Sequence, residues 1–327
     1  MSTQGADRHL GRSPTSIIQR PLAGVVQVAS LGYRTDLMLR RLGGSQVSDR
    51  GSHLVVRTPA NPVYWWGNFL LLRERPAAGE WPGWVAEFQR EFPEADHVAL
   101  GLDTADGMVE DAGGLADLGL DVLVDTVLAA SSLRTPVRPV DAEIRPLRMD
   151  EDWHQITRLR LASGEDAVLE DFAAAKTEEF RALVAAGHGA WFGAFVDGQM
   201  RCGAGLFSDG GGVARFQNVE THPDFRRRGL ASALVHELGV WGLDQLGASR
   251  LVIIADPDYH ALGLYRASDS RTSSIRCCCS DRPAPDRQGA YRVISPSTDR
   301  SGRTTDILCR LGYLQYDLGG ATNFCRG

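Results

Sequence analysis

Lysine is almost absent from this chain of 327 residues, in which Lys176 is the only lysine among 35 Lys and Arg side chains. The 41 Asp and Glu residues outnumber these bases, and the formal charge at pH 7 is −6. Proteins that bind nucleic acid electrostatically normally carry a surplus of basic side chains. We therefore expect no nucleic-acid partner.

Long apolar runs are also missing. The most apolar early run, Leu22 to Leu31, is short and is interrupted by Gln27, whereas a membrane-spanning helix needs about 20 apolar residues. Residues 1–20 lack the apolar core and the small-residue cleavage site of a secretory signal. We expect a cytoplasmic protein with no membrane partner, in which residues 1–32 form a disordered or frayed tail.

Cysteine is scarce where it could stabilise a fold. Of six cysteines, only Cys202 precedes residue 277, and three are adjacent at positions 277–279. This spacing suits neither a structural zinc site nor a disulfide framework. We expect no metal and no disulfide to hold the fold.

The segment Ser131–Asp141 contains Pro136 and Pro139 and shows no apolar periodicity, so we interpret residues 131–141 as a linker. It separates a domain at 33–130 from a domain at 142–327. Periodicity predicts helices in the first domain at 33–42 and 84–92, and strands at 53–57, 64–73, 97–102 and 122–128. In the second domain it predicts helices at 153–161, 172–186, 230–246 and from 258, and strands at 143–146, 190–196, 200–207, 214–221 and 250–255. Turn residues at 197–198 and 208–210 predict that the three middle strands form an antiparallel meander.

The most informative segment is Val219 to Leu238, where an apolar strand runs into Pro223, an arginine cluster, Gly229 and an amphipathic helix. Such a turn presents free backbone N–H groups at the positive end of a helix, an arrangement that binds pyrophosphate. Glycine allows a phosphate to approach closely, and the side chains of Arg227 and Arg228 can add charge-assisted hydrogen bonds. The alternative is a solvated basic turn that only begins a core helix.

The pattern Arg226-x-x-Gly229-x-Ala231, after Val219-x-Thr221-x-Pro223, resembles the acetyl-CoA signature of the GNAT N-acetyltransferase superfamily. The order of elements around it is similar over about 141–266 and 310–318. The resemblance implies an α/β fold of mixed α+β type: a mostly antiparallel sheet flanked by helices, with a smaller GNAT-like N-terminal domain. It also implies that the motif strand and the next strand splay apart to admit pantetheine.

The same resemblance assigns residues to acetyl-CoA, the expected co-substrate. Backbone groups of Val219, Glu220 and Thr221 would pair with the pantetheine arm. The diphosphate would bind the signature turn, which comprises Arg226, Arg227, Arg228, Gly229, Leu230, Ala231 and Ser232. Ordinary sheet residues remain the alternative for Val219 and Thr221.

Two catalytic residues are candidates. Tyr265, in Ala261-Leu262-Gly263-Leu264-Tyr265, resembles the family's tyrosine that protonates the thiolate of CoA. Glu220 is the first candidate for the general base that accepts the amine proton, and His222 is a weaker one. Asp258 stands where the family often has asparagine, which puts that cofactor contact in doubt.

After Arg266 the family pattern breaks off, and it resumes only at Arg310-Leu311-Gly312-Tyr313. The insert between, residues 267–309, is rich in Arg, Ser and Asp and has no Lys, Glu, Trp or Phe. This composition predicts a disordered or loosely ordered inserted loop, either a surface insertion or out-of-frame translation. Its deletion is then expected to preserve or raise stability.

Residues 33–130 contain no such signature turn and resemble a degenerate half of a tandem GNAT pair. Its aromatic cluster, Tyr64-Trp65-Trp66, lines an acceptor pocket or packs in the core or between the domains. The leading hypothesis is an N-acetyltransferase that moves an acetyl group from acetyl-CoA to a small-molecule or peptide amine. The alternative is a catalytically silent acyl-CoA-binding or regulatory module.

Overall fold

The structure, a computed structural model, describes residues 27–62, 64–163, 170–255 and 272–281. These residues form six α-helices: α1 (Leu31–Leu42), α2 (Trp81–Glu91), α3 (Ala112–Asp117), α4 (Asp150–Ser163), α5 (Glu170–Ala185) and α6 (Leu230–Gln245). They also form eleven strands: β1 (Gln46–Asp49), β2 (His53–Arg57), β3 (Phe69–Leu72), β4 (Ala99–Leu102), β5 (Leu120–Ala130), β6 (Glu143–Pro146), β7 (Gly189–Val196), β8 (Gln199–Phe207), β9 (Val213–Thr221), β10 (Arg250–Ala255) and β11 (Thr272–Asp281).

All eleven strands belong to one sheet with the order β1-β2-β3-β4-β11-β5-β10-β9-β8-β7-β6. Only β3–β4 and β9–β10 are parallel pairs among these described strands. The sheet is mixed and mostly antiparallel, with helices packed against it, which confirms the expected fold class.

The meander of β7, β8 and β9 follows from its turns. Asp197 and Gly198 both have positive φ angles, 51° and 71°, the backbone conformation that a two-residue hairpin turn requires. The turn sets the register, which pairs Val196 with Gln199 and continues to Gly189 opposite Phe207. Residues of one face of these strands then pack under α6 in one apolar cluster with Leu234 and Leu238.

The two parts of the chain share the sheet and a small apolar cluster, in which Leu31, Val127 and Ala129 pack with Val252 and Ile254. One cluster joins α1 and α2 to β2, β3 and β4, and others join α4, α5 and α6 to β7–β10. The parts are linked by a buried side chain on β9, because Nη1 of Arg215 donates to Thr35 Oγ1 (2.9 Å) and to Asp36 Oδ1 (3.2 Å) on α1. Residues 131–141 between the parts have neither helix nor strand. The proposed domain division stays a prediction.

The strand predicted at 64–73 begins only at Phe69. Trp65–Gly67 form a 3₁₀ turn instead, and Asn68 holds this turn with its side chain. Its Nδ2 donates to the carbonyls of Asn61 and Tyr64, while its Oδ1 accepts from Thr58 N. The short elements β1 and α3 had no counterpart in the sequence-based prediction.

Two boundaries expected from composition need correction. The tail was expected to extend to residue 32, but Ala29 N and Ser30 N donate to the carboxylate of Asp103, and Ser30 caps α1. The insert at 267–309 was expected to be a loop, but ten of its residues form β11, which pairs with β5 along its length and with β4 at 277–280. Backbone pairing therefore places residues 272–281 inside the sheet although the composition of the insert is poor in core-forming residues. The helix predicted from Asp258 lies outside the described residues.

A search of the described helices found none long and apolar enough to cross a membrane.

Candidate functional site

An opening lies between β9 and β10. Their parallel pairing covers only Val213–Arg215 on β9 and Arg250–Val252 on β10. Beyond these residues, β10 continues to pair with residues 126–130 of β5, whereas β9 continues to pair with β8 up to Thr221. Glu220 and Thr221 therefore pair with a strand on one edge only among the described residues, and Val219 lies at the register shift that precedes them. These are the three residues assigned to the pantetheine arm.

A bulge separates this open segment from the rest of β9. The register with β8 shifts between Gly203 and Gly205, and Asn218 has a positive φ of 48°. Asparagine is one of the few residues that adopt this conformation readily. The bulge was not predicted, although the adjacent polar residues Gln217 and Asn218 interrupt the alternation of β9 and could have indicated it.

The turn after β9 leads directly into the N-terminus of α6. Arg227 and Gly229 both have left-handed backbone conformations, with φ of 62° and 88°. No side chain caps α6, and the first N–H groups of any helix lack partners within it. The N–H groups of Leu230, Ala231 and Ser232 are thus available to an anion, where the helix dipole also favours negative charge.

The three arginines of the turn have different positions. Arg226 is directed into the protein, because its Nε donates to Thr221 O (3.4 Å) and its Nη2 to Ser163 O (3.1 Å). Arg227 and Arg228 are exposed, and the guanidinium of Arg228 lies 4.6 Å from the ring centre of Phe225. Arg226 therefore fixes the turn against α4, while the other two remain accessible to a phosphate.

Glu220, the first candidate for the general base, forms a buried ion pair. Arg160 Nε donates to Glu220 Oε1 at 3.0 Å, and the two side chains are 6% and 1% exposed. Sequence reasoning missed Arg160, because it lies 60 residues away on α4 and no local pattern links it to β9. Only Oε2 of Glu220 is left to accept a proton. His222 instead accepts a hydrogen bond from Asp224 N at the start of a 3₁₀ turn.

Several expected site residues fall outside the description. Tyr265, Asp258 and the resumed pattern at 310–313 are not among the described residues. Their roles stay predictions.

Tyr64 lies where the two parts of the chain meet. Its hydroxyl accepts from Arg40 Nη2 at 2.7 Å, and Nζ of Lys176 on α5 lies 5.3 Å from its ring centre. Burial lowers the pKa of Lys176, the lone lysine, and Arg40 and Arg160 lower it further, while Glu179 opposes them. The position of Tyr64 agrees with the interdomain-packing interpretation.

A possible metal-ligand group also lies in the first part. Within the described residues, ligand atoms of His53, Glu87 and Glu91 lie within 4.8 Å of one another. Hydrogen bonds from Arg50 and Arg57 lower the pKa of Glu91 to about 2. Because arginines already neutralise these carboxylates, Glu87 being paired with Arg90, the group is better described as an ion-pair network than as a cation site.

Comparisons with known proteins agree with this geometry. The family model described as "Acetyltransferase (GNAT) family" matches residues 153–268. A GCN5-related N-acetyltransferase from Kribbella flavida has 15% identity and a TM-score of 0.55, with 80% of this chain and 96% of that chain covered. One from Sphaerobacter thermophilus has 16% identity and a TM-score of 0.52, with coverage of 77% and 87%. A functionally unknown conserved protein from Staphylococcus epidermidis has 10% identity and a TM-score of 0.60, with coverage of 72% and 94%.

The solved structures establish likeness of fold, and the matched segment contains the opened strand, the arginine-rich turn and α6. Residues 153–268 therefore form a domain of the GNAT acetyltransferase family. No curated protein matches the sequence of this chain.

Proposed function

We propose that the chain transfers an acetyl group from acetyl-CoA to an amine. The observation that carries this proposal is the open edge of Val219–Thr221 directly before the uncapped N-terminus of α6. An extended amide-containing arm fits the open edge, and a diphosphate fits the helix terminus. The residues present therefore suit acetyl-CoA, which supplies the acetyl thioester when bound.

The reaction needs two proton movements. An alkylammonium with a pKa near 10.4 is only roughly one part in a thousand neutral at pH 7, so the protein must accept a proton before the nitrogen attacks the thioester carbonyl. A C–N bond forms, the C–S bond breaks, and the thiolate takes up a proton. We assign acceptance of the amine proton to Glu220 Oε2, directly or through water, and donation to the thiolate to Tyr265.

Acetyl-CoA binding is the first test, and the full chain should be used because β5, from the first part, pairs with β10. Gly229→Ala adds a methyl group at φ 88°, 3.3 Å from Val140 Cγ1 and beside the free N–H groups. We expect calorimetry to show affinity weakened by at least about tenfold. Gly247→Ala is the matched control, because Gly247 also has a positive φ but no atom within 4 Å of the added methyl group. It should strain the backbone without affecting affinity.

Failure of the folded chain to bind millimolar acetyl-CoA would overturn the proposal. Equal loss of affinity in both glycine variants would show that strain, and not the turn, determines binding.

A catalytically silent acyl-CoA-binding module is the second candidate. It is favoured by the pairing of Glu220 with Arg160, since this ion pair occupies one oxygen of the candidate base. Release of free CoA in the presence of a panel of amines distinguishes the two. Binding without any amine-dependent release would favour the silent module.

A further inference from the structure

Five buried polar atoms without a hydrogen-bond partner lie near the open segment of β9. They belong to four side chains, each more than nine-tenths buried, and are Arg160 Nη1 and Nη2, Ser163 Oγ, Trp191 Nε1 and Glu220 Oε2. Buried polar groups in proteins are nearly always paired, because an unpaired one loses its hydrogen bonds to water. Several such atoms in one place therefore mark a site where water or a ligand would pair with them.

Contacts between neighbouring residues show that the four side chains lie close together. Arg160 is held by Glu220 through Nε, and its guanidinium carbon lies 5.8 Å from the ring centre of Trp191. A methyl group on Gly203, which pairs with Glu220 across the strands, would lie 3.2 Å from Trp191 Nε1. Ser163 lies one helical turn after Arg160, and its carbonyl accepts from Arg226. The cluster is therefore bounded by the open strand and the anion-binding turn.

The chemistry of these atoms is asymmetric. The two free guanidinium nitrogens of Arg160 can only donate, in the fork geometry that matches a carboxylate. Glu220 Oε2 can only accept while ionised, which suits an ammonium or amine. Arg40 and Arg160 both act electrostatically on Lys176 and on Glu179. With Glu220 paired to Arg160, this region holds three basic side chains and two carboxylates, which favours an added anion.

We propose that the acceptor is an amine that also carries a carboxylate, as a free amino acid does. Its carboxylate binds Nη1 and Nη2 of Arg160, with Ser163 Oγ as a further donor, and its nitrogen faces Glu220 Oε2. This places the nitrogen beside the strand segment that would hold the pantetheine arm. The inference rests on the proposed acetyl transfer, but the carboxylate subsite can be measured without it.

The experiment compares each common L-amino acid with its own carboxamide, using the full chain. The carboxylate of the acid stabilises its ammonium form, so amine basicity alone favours the amide. A preference for the acid must then come from recognition of the carboxylate. We expect kcat/KM for the preferred acid to exceed that of its amide by roughly 10- to 100-fold, the range for a charged hydrogen-bonded contact. Calorimetry of the same pairs without acetyl-CoA gives a readout independent of turnover.

Arg160→Lys keeps the positive charge but cannot serve both Glu220 and an acceptor carboxylate, so the preference should fall below about threefold. Arg145→Lys is the matched control, because Arg145 also pairs with a buried carboxylate, that of Asp152 on α4, yet lies outside the cluster. It should leave the preference unchanged. Ser163→Ala removes only the free hydroxyl and provides a second variant should Arg160→Lys not fold; it should reduce the preference in the same direction by a smaller factor.

If the chain turns over acetyl-CoA but uses the acid and the amide equally well, the carboxylate subsite is wrong and acetyl transfer stands. If binding requires the carboxylate and is lost in the Arg160 or Ser163 variant, the subsite is supported. If no acceptor is then turned over, acetyl transfer is overturned. Absence of both turnover and acid-dependent binding would overturn the inference.

Discussion

Replacing Asp152 with asparagine should destabilise the protein in a way that depends on pH. Asp152 lies in the first turn of α4 with its side chain 1% exposed. Its two oxygens accept from Arg145 Nη1 and Nη2, both at 2.8 Å, and from Arg148 N and Met149 N. The hydrogen bonds from Arg145, opposed by burial and supported by the backbone N–H groups, lower the pKa of Asp152 from 3.8 to about 2.

This pKa difference sets the expected magnitude. At about 1.4 kcal/mol per pH unit, the step from 3.8 to about 2 corresponds to about 2 kcal/mol of folding free energy. Because the folded-state pKa is the lower one, this stability is fully present above about pH 4. It is lost as the pH falls from about 4 to about 2 and the carboxylate becomes protonated.

Urea unfolding of the wild type and Asp152→Asn at pH 7 and near pH 2.5 tests this reasoning. The difference in unfolding free energy should be about 2 kcal/mol at pH 7 and should shrink markedly at the lower pH. Glu91→Gln is a matched control far from α4, because hydrogen bonds from Arg50 and Arg57 also lower the pKa of Glu91 to about 2. A difference for Asp152→Asn that is equal at both pH values would refute the ion-pair explanation.

Four further predictions concern the link between the two parts, the core, the chemistry and β11. Arg215→Met removes the buried cation beside Asp36 and should lower the unfolding free energy by roughly 3–5 kcal/mol in urea titrations. Cys202 is buried, which raises its pKa to about 12, so native protein at pH 8 should show no alkylation there by mass spectrometry. Tyr265→Phe should lower kcat by roughly 10- to 10⁴-fold in the CoA-release assay with little change in acetyl-CoA affinity. Deleting 267–309 removes β11 and should lower the melting temperature by more than about 5 °C, contrary to the expectation from composition.

Local chemistry explains which elements could be predicted from the sequence. The strands at 53–57, 143–146 and 250–255 were predicted with the observed bounds, because each is a short apolar or alternating run ended by turn residues. The hairpin at Asp197-Gly198 was predicted because few residue pairs adopt two consecutive positive φ angles. The helix α6 was predicted to within one residue because its apolar periodicity starts directly after Gly229.

Contacts between distant residues explain what could not be predicted. Arg160 meets Glu220 across 60 positions, and Arg215 meets Asp36 across 179 positions. Neither pair has a local signature, because any strand arginine or glutamate is more often solvated. β11 is the extreme case, since its composition argued against a strand and only pairing with β5 reveals it.

The first part of the chain contributes to the candidate site without carrying a cofactor turn of its own. β5 pairs with β10 over 126–130, and this pairing continues to Ala255, beyond the point where β10 leaves β9. β10 therefore remains part of the sheet while the edge of Val219–Thr221 stays open. Arg215, on the paired portion of β9, is anchored to α1 of the same first part. Residues of the first part therefore contact both strands that flank the opening, β10 through β5 and β9 through Arg215.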